Sequence, residues 1–131
     1  MKIHLLGTVF LALVASGGSA MAANWPTSVV GTWNALADQS NLTLDITSQA
    51  TANACKAIAG TLGTDNISGY YCPSSGRFSF LRANAGNNVT FQVYTGNLSH
   101  IGTTDYMTGV FEQETTVGSA VEGEYSFFAS K

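Results

Sequence analysis

Four glutamates near the C-terminus, Glu112, Glu114, Glu122 and Glu124, are the densest group of chemistry-bearing side chains in this 131-residue chain. Paired carboxylates serve glycoside hydrolysis when they converge from different walls of a cleft, and a calcium ion takes roughly six to eight oxygens. The spacing fits neither. If the last two strands form a hairpin with Phe111 facing Tyr125, Glu112 falls opposite Glu124 and Glu114 opposite Glu122, all on one outer face. Like charges directly across a ladder repel, so such a face suits a basic protein partner, or else simply keeps the chain solvated. A second group is Ser99, His100 and Asp105. Nucleophile and base must point at each other, which adjacent residues seldom do, so Ser99 to Thr104 reads as a polar turn and the chain as non-catalytic. No Gly-rich loop joins a strand to a helix, and no cofactor or metal is implied.

The two cysteines carry a structural message instead. A reversal at Gly63-Thr64 pairs Leu62 with Asp65, Gly60 with Ile67 and Ile58 with Gly69, which brings Cys55 opposite Cys72. In an exported chain that pair reads as a disulfide, worth about 3 kcal/mol for a loop of this size in the chain-entropy picture. Export is expected from Met1 to Ala22: a basic start at Lys2, an apolar run from Leu5 to Ala15, and Ala20-Met21-Ala22 as a signal-peptidase site. The mature chain is then a single domain, 23–131, secreted or periplasmic. No later run reaches the roughly 18 apolar residues of a membrane helix. Five Lys and Arg, one of them Lys2, face eight Asp and Glu, which argues against nucleic acid.

The elements that position these groups are strands. Helix signals are nearly absent beyond the leader, and apolar residues alternate between polar turns. Eight strands are expected, over Val29–Leu36, Asn41–Thr47, Lys56–Leu62, Ile67–Cys72, Arg77–Arg82, Val89–Leu98, Tyr106–Glu114 and Val121–Ala129. One set of hairpin registers gathers the apolar residues on a common face: Trp33 opposite Leu44, Leu44 opposite Gly60, Ile58 and Phe80 opposite Gly69, and Tyr71 opposite Phe78. It continues with Phe91 opposite Phe80 and Phe111, and with Val93 and Phe127 opposite Gly109. A one-residue slip would exchange this face for Thr, Ser, Gln and Glu. Bulky residues facing glycines suit a sheet that curves until it closes, so the expected fold is all-β, an eight-stranded antiparallel up-and-down β-barrel with one disulfide. A two-sheet sandwich is the alternative. The inward rings, among them Tyr71, Phe80 and Tyr125, either line a ligand cavity or fill the barrel. Outward Tyr70, Leu81, Tyr94, Val110 and Phe128 offer apolar area for a homo-oligomer.

Gly31-Thr32-Trp33-Asn34, followed by Ser40-Asn41-Leu42-Thr43-Leu44, resembles the opening hairpin of the avidin and streptavidin family. Ala59-Gly60-Thr61-Leu62 is similar to its third strand and Tyr94-Thr95-Gly96 to its sixth. The resemblance implies an exported, ligand-binding barrel in which Asn34 and Ser40 take the places of the family's contacts to the ureido oxygen of biotin. Other contacts depart. Leu62 stands where the family has a tyrosine, and Tyr125 where it has a carboxamide or carboxylate. Trp33 is the sole tryptophan within the strands, Trp25 preceding them. The expectation is therefore a small apolar ligand of unknown identity, with tight biotin binding doubtful because of these missing contacts, held at the open end by Asn34, Ser40, Tyr71, Phe80 and Tyr125. The alternative is an inhibitor of a basic exported enzyme acting through the glutamate face.

Overall fold

The computed structural model describes residues 25–83, 89–115 and 123–131. The leader and Glu122 lie outside the described residues. Eight strands follow one another: β1 (Gly31–Ala37), β2 (Ser40–Gln49), β3 (Lys56–Leu62), β4 (Asp65–Cys72), β5 (Arg77–Ala83), β6 (Val89–Ile101), β7 (Thr104–Thr115) and β8 (Gly123–Ser130). Each pairs antiparallel with the next, and β8 returns to β1 through Asn34↔Ser130, Ala35↔Ala129, Leu36↔Phe128 and Ala37↔Phe127. That last pairing makes the sheet a closed up-and-down barrel and removes the sandwich alternative.

Three two-residue reversals show why the hairpins form where they do. Asp38, Gly63 and Gly102 each open a turn with left-handed backbone, φ 53°, 62° and 65°, the geometry that matches the twist of a tight hairpin. The turn at Gly102 is shorter than the Ser99 to Thr104 stretch suggested. β6 runs on to Ile101 and β7 starts at Thr104, so His100 is a strand residue whose cross-strand partner is Asp105.

The expected face is largely the one that is buried. Trp33, Leu44, Ile46, Leu62, Tyr71 and Met107 are fully enclosed. The registers Trp33↔Leu44, Ile58↔Gly69, Gly69↔Phe80, Tyr71↔Phe78, Gly109↔Phe127 and Phe111↔Tyr125 all hold. Two registers differ. Leu44 pairs with Leu62, and it is Ile46 that meets Gly60. This shift is by two residues and leaves the faces unchanged.

The second difference turns β6 over. Tyr94, expected outward, is fully buried and pairs with Phe80 and Phe111, while Phe91 pairs with Ala83 and Glu114, Val93 with Leu81 and Glu112, and Gly96 with Gly109. The register slips between Val89 and Phe91, as a bulge does. Two features favour this phase over one burying Phe91 and Val93. Gly96 and Gly109 allow backbones to approach so closely that a Cβ on Gly109 would sit 2.0 Å from the Thr95 carbonyl oxygen. And Gln92, turned inward and only 8 % exposed, finds hydrogen-bond partners there, which removes the cost of burying its amide.

Tyr94 completes a file of rings across the interior. Phe78, Phe80, Tyr94, Phe111 and Tyr125 stack in sequence with centroids 5.9, 4.8, 4.9 and 5.1 Å apart, and Phe127 sets its edge against Phe78, Phe80 and Tyr94. Such contacts add about 0.5–1.5 kcal/mol each beyond area burial. The middle of the barrel is thus filled. On the wall, Cys55 and Cys72 are joined by the disulfide that the β3–β4 register demanded. Gly109→Ala should lower stability by at least about 1–3 kcal/mol, the range for overpacking, because the clash is with backbone. A urea midpoint unchanged by this substitution would refute the close approach.

Candidate functional site

The two ends of the barrel are finished differently. At the end where β1 begins, residues 25–30 cross the mouth as a strap. Trp33 Nε1 donates to the Val29 carbonyl (2.9 Å), Gln49 accepts from Val29 N–H (3.0 Å) and donates to the Thr27 carbonyl (2.9 Å), and the Tyr71 hydroxyl donates to the Pro26 carbonyl (2.6 Å). Trp25 lies against Gly76, where a Cβ would fall 2.5 Å from the indole nitrogen. Lys131 adds its ammonium 4.7 Å from the centre of the Trp33 ring and donates to the Val30 carbonyl. His100 Nδ1 and Asp105 Oδ1, 2.6 Å apart, sit on the rim beside the strap. This mouth is closed by the chain itself.

The opposite mouth, under the β1–β2 and β3–β4 hairpins, holds a pocket of about 350 Å3, within the range of small-molecule sites. Its walls include Ala37, Leu42 and the rings of Phe111 and Tyr125, and its rim includes Asp38 and Ser40. Its polar groups form a connected network. Arg82 Nε and a terminal nitrogen converge on Asp65 Oδ2 at 2.9 and 2.7 Å. Arg82 Nη1 donates to Gln92 Oε1 (3.1 Å), the Tyr94 hydroxyl donates to the same oxygen (2.8 Å), and Gln92 Nε2 donates to Gln113 Oε1 (2.8 Å). Burial pushes the Tyr94 phenol above its ordinary pKa, with the Arg82 charge opposing that rise, so the hydroxyl keeps its proton and acts as a donor. Among the described residues no buried side-chain nitrogen or oxygen lacks a partner. The floor is therefore preorganised: its dipoles are held before any ligand arrives.

Of the five residues expected to bind ligand, the structure brings Ser40 and Tyr125 to this pocket. Phe80 lies one ring deeper, stacked under Tyr94. Tyr71 belongs to the strapped end, its hydroxyl committed to Pro26. Asn34 is exposed on the outer face, because its neighbours Trp33 and Ala35 point inward. The expected apolar ligand meets a floor more polar than the sequence suggested. Arg82, Gln92, Tyr94 and Gln113 were not foreseen. Arg82 carried a legible signal, since it shares the alternation phase of Phe78 and Phe80, and Gln113 shares that of Gly109 and Phe111. A charged or amide residue in the inward phase marks a built polar site. Gln92 was hidden by the phase error in β6.

The glutamate face is present in part. Glu112 and Glu124 are direct cross-strand partners and both are exposed, as is Glu114. Among the described residues no group of three or more His, Cys, Asp or Glu is placed to hold a metal ion, and no helix is long and apolar enough to cross a membrane.

Comparison with known proteins returned no matching family model and no matching curated protein. The barrel is consistent with avidin-like architecture, and it is the architecture alone that the structure supports.

Burial, and secondarily the charge of Asp105, raises the Tyr71 pKa from 10.0 to about 12. In the unfolded chain this phenol ionises near pH 10, while in the fold it holds its proton until about pH 12. Its contribution is therefore intact below pH 10 and lost as pH rises through that interval, about 2–3 kcal/mol in all. Tyr71→Phe should remove this share of the alkaline destabilisation in urea titrations from pH 8 to 12, at a cost of about 1 kcal/mol near neutrality for the lost hydrogen bond. An unaltered alkaline slope in the variant would contradict the assignment.

Proposed function

We propose that this chain is an exported, non-catalytic ligand-binding barrel whose site is the pocket beneath the β1–β2 and β3–β4 hairpins. One observation carries the reading. Among the described residues, rings stack through the middle of the barrel, and at this mouth a space of about 350 Å3 coincides with the network of Arg82, Gln92, Tyr94 and Gln113. Gln92, nine-tenths buried and bonded to Arg82, Tyr94 and Gln113, holds these polar groups together at the edge of the ring-filled core. The opposite end, strapped by residues 25–30, supports the reading by contrast.

The test is a fragment titration followed by backbone NMR. Binders should move the resonances of Ser40, Gln92 and Gln113 together, and Leu42→Trp, which fills the pocket, should abolish those shifts while the melting temperature is retained. Shifts confined to other parts of the barrel, or unaffected by the filled pocket, would defeat the proposal.

A second reading rests on the outer wall. Direct apposition of Glu112 and Glu124 costs stability, and a basic protein partner would relieve that cost, as in an inhibitor of a basic exported enzyme. Such binding must weaken several-fold between low and high salt and be lost in Glu112→Gln/Glu124→Gln. Association indifferent to salt would exclude it.

A further inference from the structure

The outer wall carries a second concavity, over β4, β5 and β6. We infer that it binds an acidic sugar, a uronate ring whose carboxylate sits on Arg77 and whose face lies on Tyr70. This site is separate from the mouth pocket and does not depend on it.

Its place follows from the strand registers. Tyr70, Ser79 and Thr95 form one outward row across β4, β5 and β6, and Cys72 and Arg77 stand side by side in the next. Ser79 and Thr95 are short, while Tyr70, Arg77 and the Cys55–Cys72 disulfide stand around them. The result is a groove of about 320 Å3 lined by these six residues, within the range of small-molecule sites. Tyr70 is 48 % exposed, so a large ring is left in water beside polar groups.

The charge of the groove selects an anion. Among the described residues the other Lys and Arg side chains are committed: Arg82 to Asp65, Lys56 to the Thr51 carbonyl and Lys131 to the Val30 carbonyl. Arg77 is exposed and pairs with no carboxylate among them. β5 and β6 contain no Asp or Glu, the single acid of β4 is Asp65, bonded to Arg82, and the first outward acid of β7, Glu112, comes only opposite Val93. A planar guanidinium with open donors takes a carboxylate through two parallel hydrogen bonds. A cationic ligand meets only like charge. The hydroxyls then decide the body of the ligand. An apolar ring laid over Ser79 and Thr95 would strip their water and leave them unpaired, which costs free energy, whereas a hydroxylated ring returns those hydrogen bonds. Tyr70 offers an apolar body with a polar tip, and a sugar ring matches it with C–H groups on its face and hydroxyls at its edge.

The probes are methyl glucuronide, methyl glucoside and cyclohexanecarboxylate: the first has charge and hydroxyls, the second lacks the charge, and the third lacks the hydroxyls. Each is titrated at neutral pH into the intact chain, with chemical shifts read at Tyr70, Arg77, Ser79 and Thr95. Methyl glucuronide should bind at least about fivefold more tightly than either, the scale of one charge-assisted hydrogen bond in an open groove, and added salt should erode its lead over the glucoside. Arg77→Gln should reduce it to the level of the glucoside, and Ser79→Ala/Thr95→Val to the level of cyclohexanecarboxylate. The substituted positions lie on the outer wall, and thermal melts confirm that a folded barrel is being read in each variant. If the glucoside or cyclohexanecarboxylate binds the wild-type chain as tightly as the glucuronide, the ligand class is wrong. Glucuronide shifts that persist in folded Arg77→Gln, that centre on Ser40 and Gln92 instead, or that are absent at tens of millimolar overturn the groove as a site. The mouth pocket stands or falls on its own titration.

Discussion

The four-residue seam between β1 and β8 is the constraint on which the molecule depends. Ala35 and Ala129 meet there, as do Ala37 and Phe127, and the small side chains let the two strands close around the ring file rather than be held apart by it. Without the seam the inward rings would lie on an open sheet with two unpaired edges, the arrangement that invites pairing with another chain. With it, the rings meet from opposite walls: Phe127 on β8 sets its edge on Phe78 and Phe80 from β5 and on Tyr94 from β6. Closure and filling are thus one event. The barrel closes because its interior has rings long enough to meet across it, and the glycines at 69, 96 and 109 make room for strands to curve around them.

Filling the centre leaves the two mouths as the places where the fold retains freedom, and the chain uses them in opposite ways. At the strapped mouth side chains from the wall bond to the strap backbone, Trp33, Gln49 and Tyr71 each taking one carbonyl. At the other mouth the polar side chains bond to one another, and their network runs sideways across β4, β5, β6 and β7 from Asp65 to Gln113. The first arrangement ties the strap down; the second lines a pocket with oriented dipoles. A buried polar network is worth its desolvation only when every member is satisfied, and among the described residues that condition is met.

Much of the fold was legible because period-two alternation is a strict code: a one-residue slip exposes every large residue, so the phase of β1 to β5, β7 and β8 followed from hydrophobicity alone. The Cys55–Cys72 pairing followed from the Gly63-Thr64 reversal for the same reason. The code failed at β6, where both phases offer apolar residues, Phe91 and Val93 on one side and Tyr94 and Leu98 on the other. The tie is broken by Gly96 against Gly109 and by partners for Gln92, both properties of neighbouring strands and not of β6 itself. The candidate site suffered most from this, since Gln92 and Tyr94 are two of its central groups. Asn34 and Ser40 were named from a family resemblance; adjacent to inward Trp33 and Ala35, Asn34 had to face outward by alternation, and the pattern in the sequence was the better guide.

The rings and the polar floor constrain the fold in different ways. Dispersion and hydrophobic burial are indifferent to pattern, so the ring file would tolerate many arrangements of the same area. The polar network is not indifferent. Releasing Arg82 from Asp65 would leave a poorly solvated carboxylate, and taking the Gln92 oxygen would strand the Tyr94 hydroxyl or an Arg82 N–H, at about 1–3 kcal/mol for each buried group left unpaired. The network therefore fixes β4, β5, β6 and β7 against one another at the mouth, as the stacked rings hold the walls together in the middle.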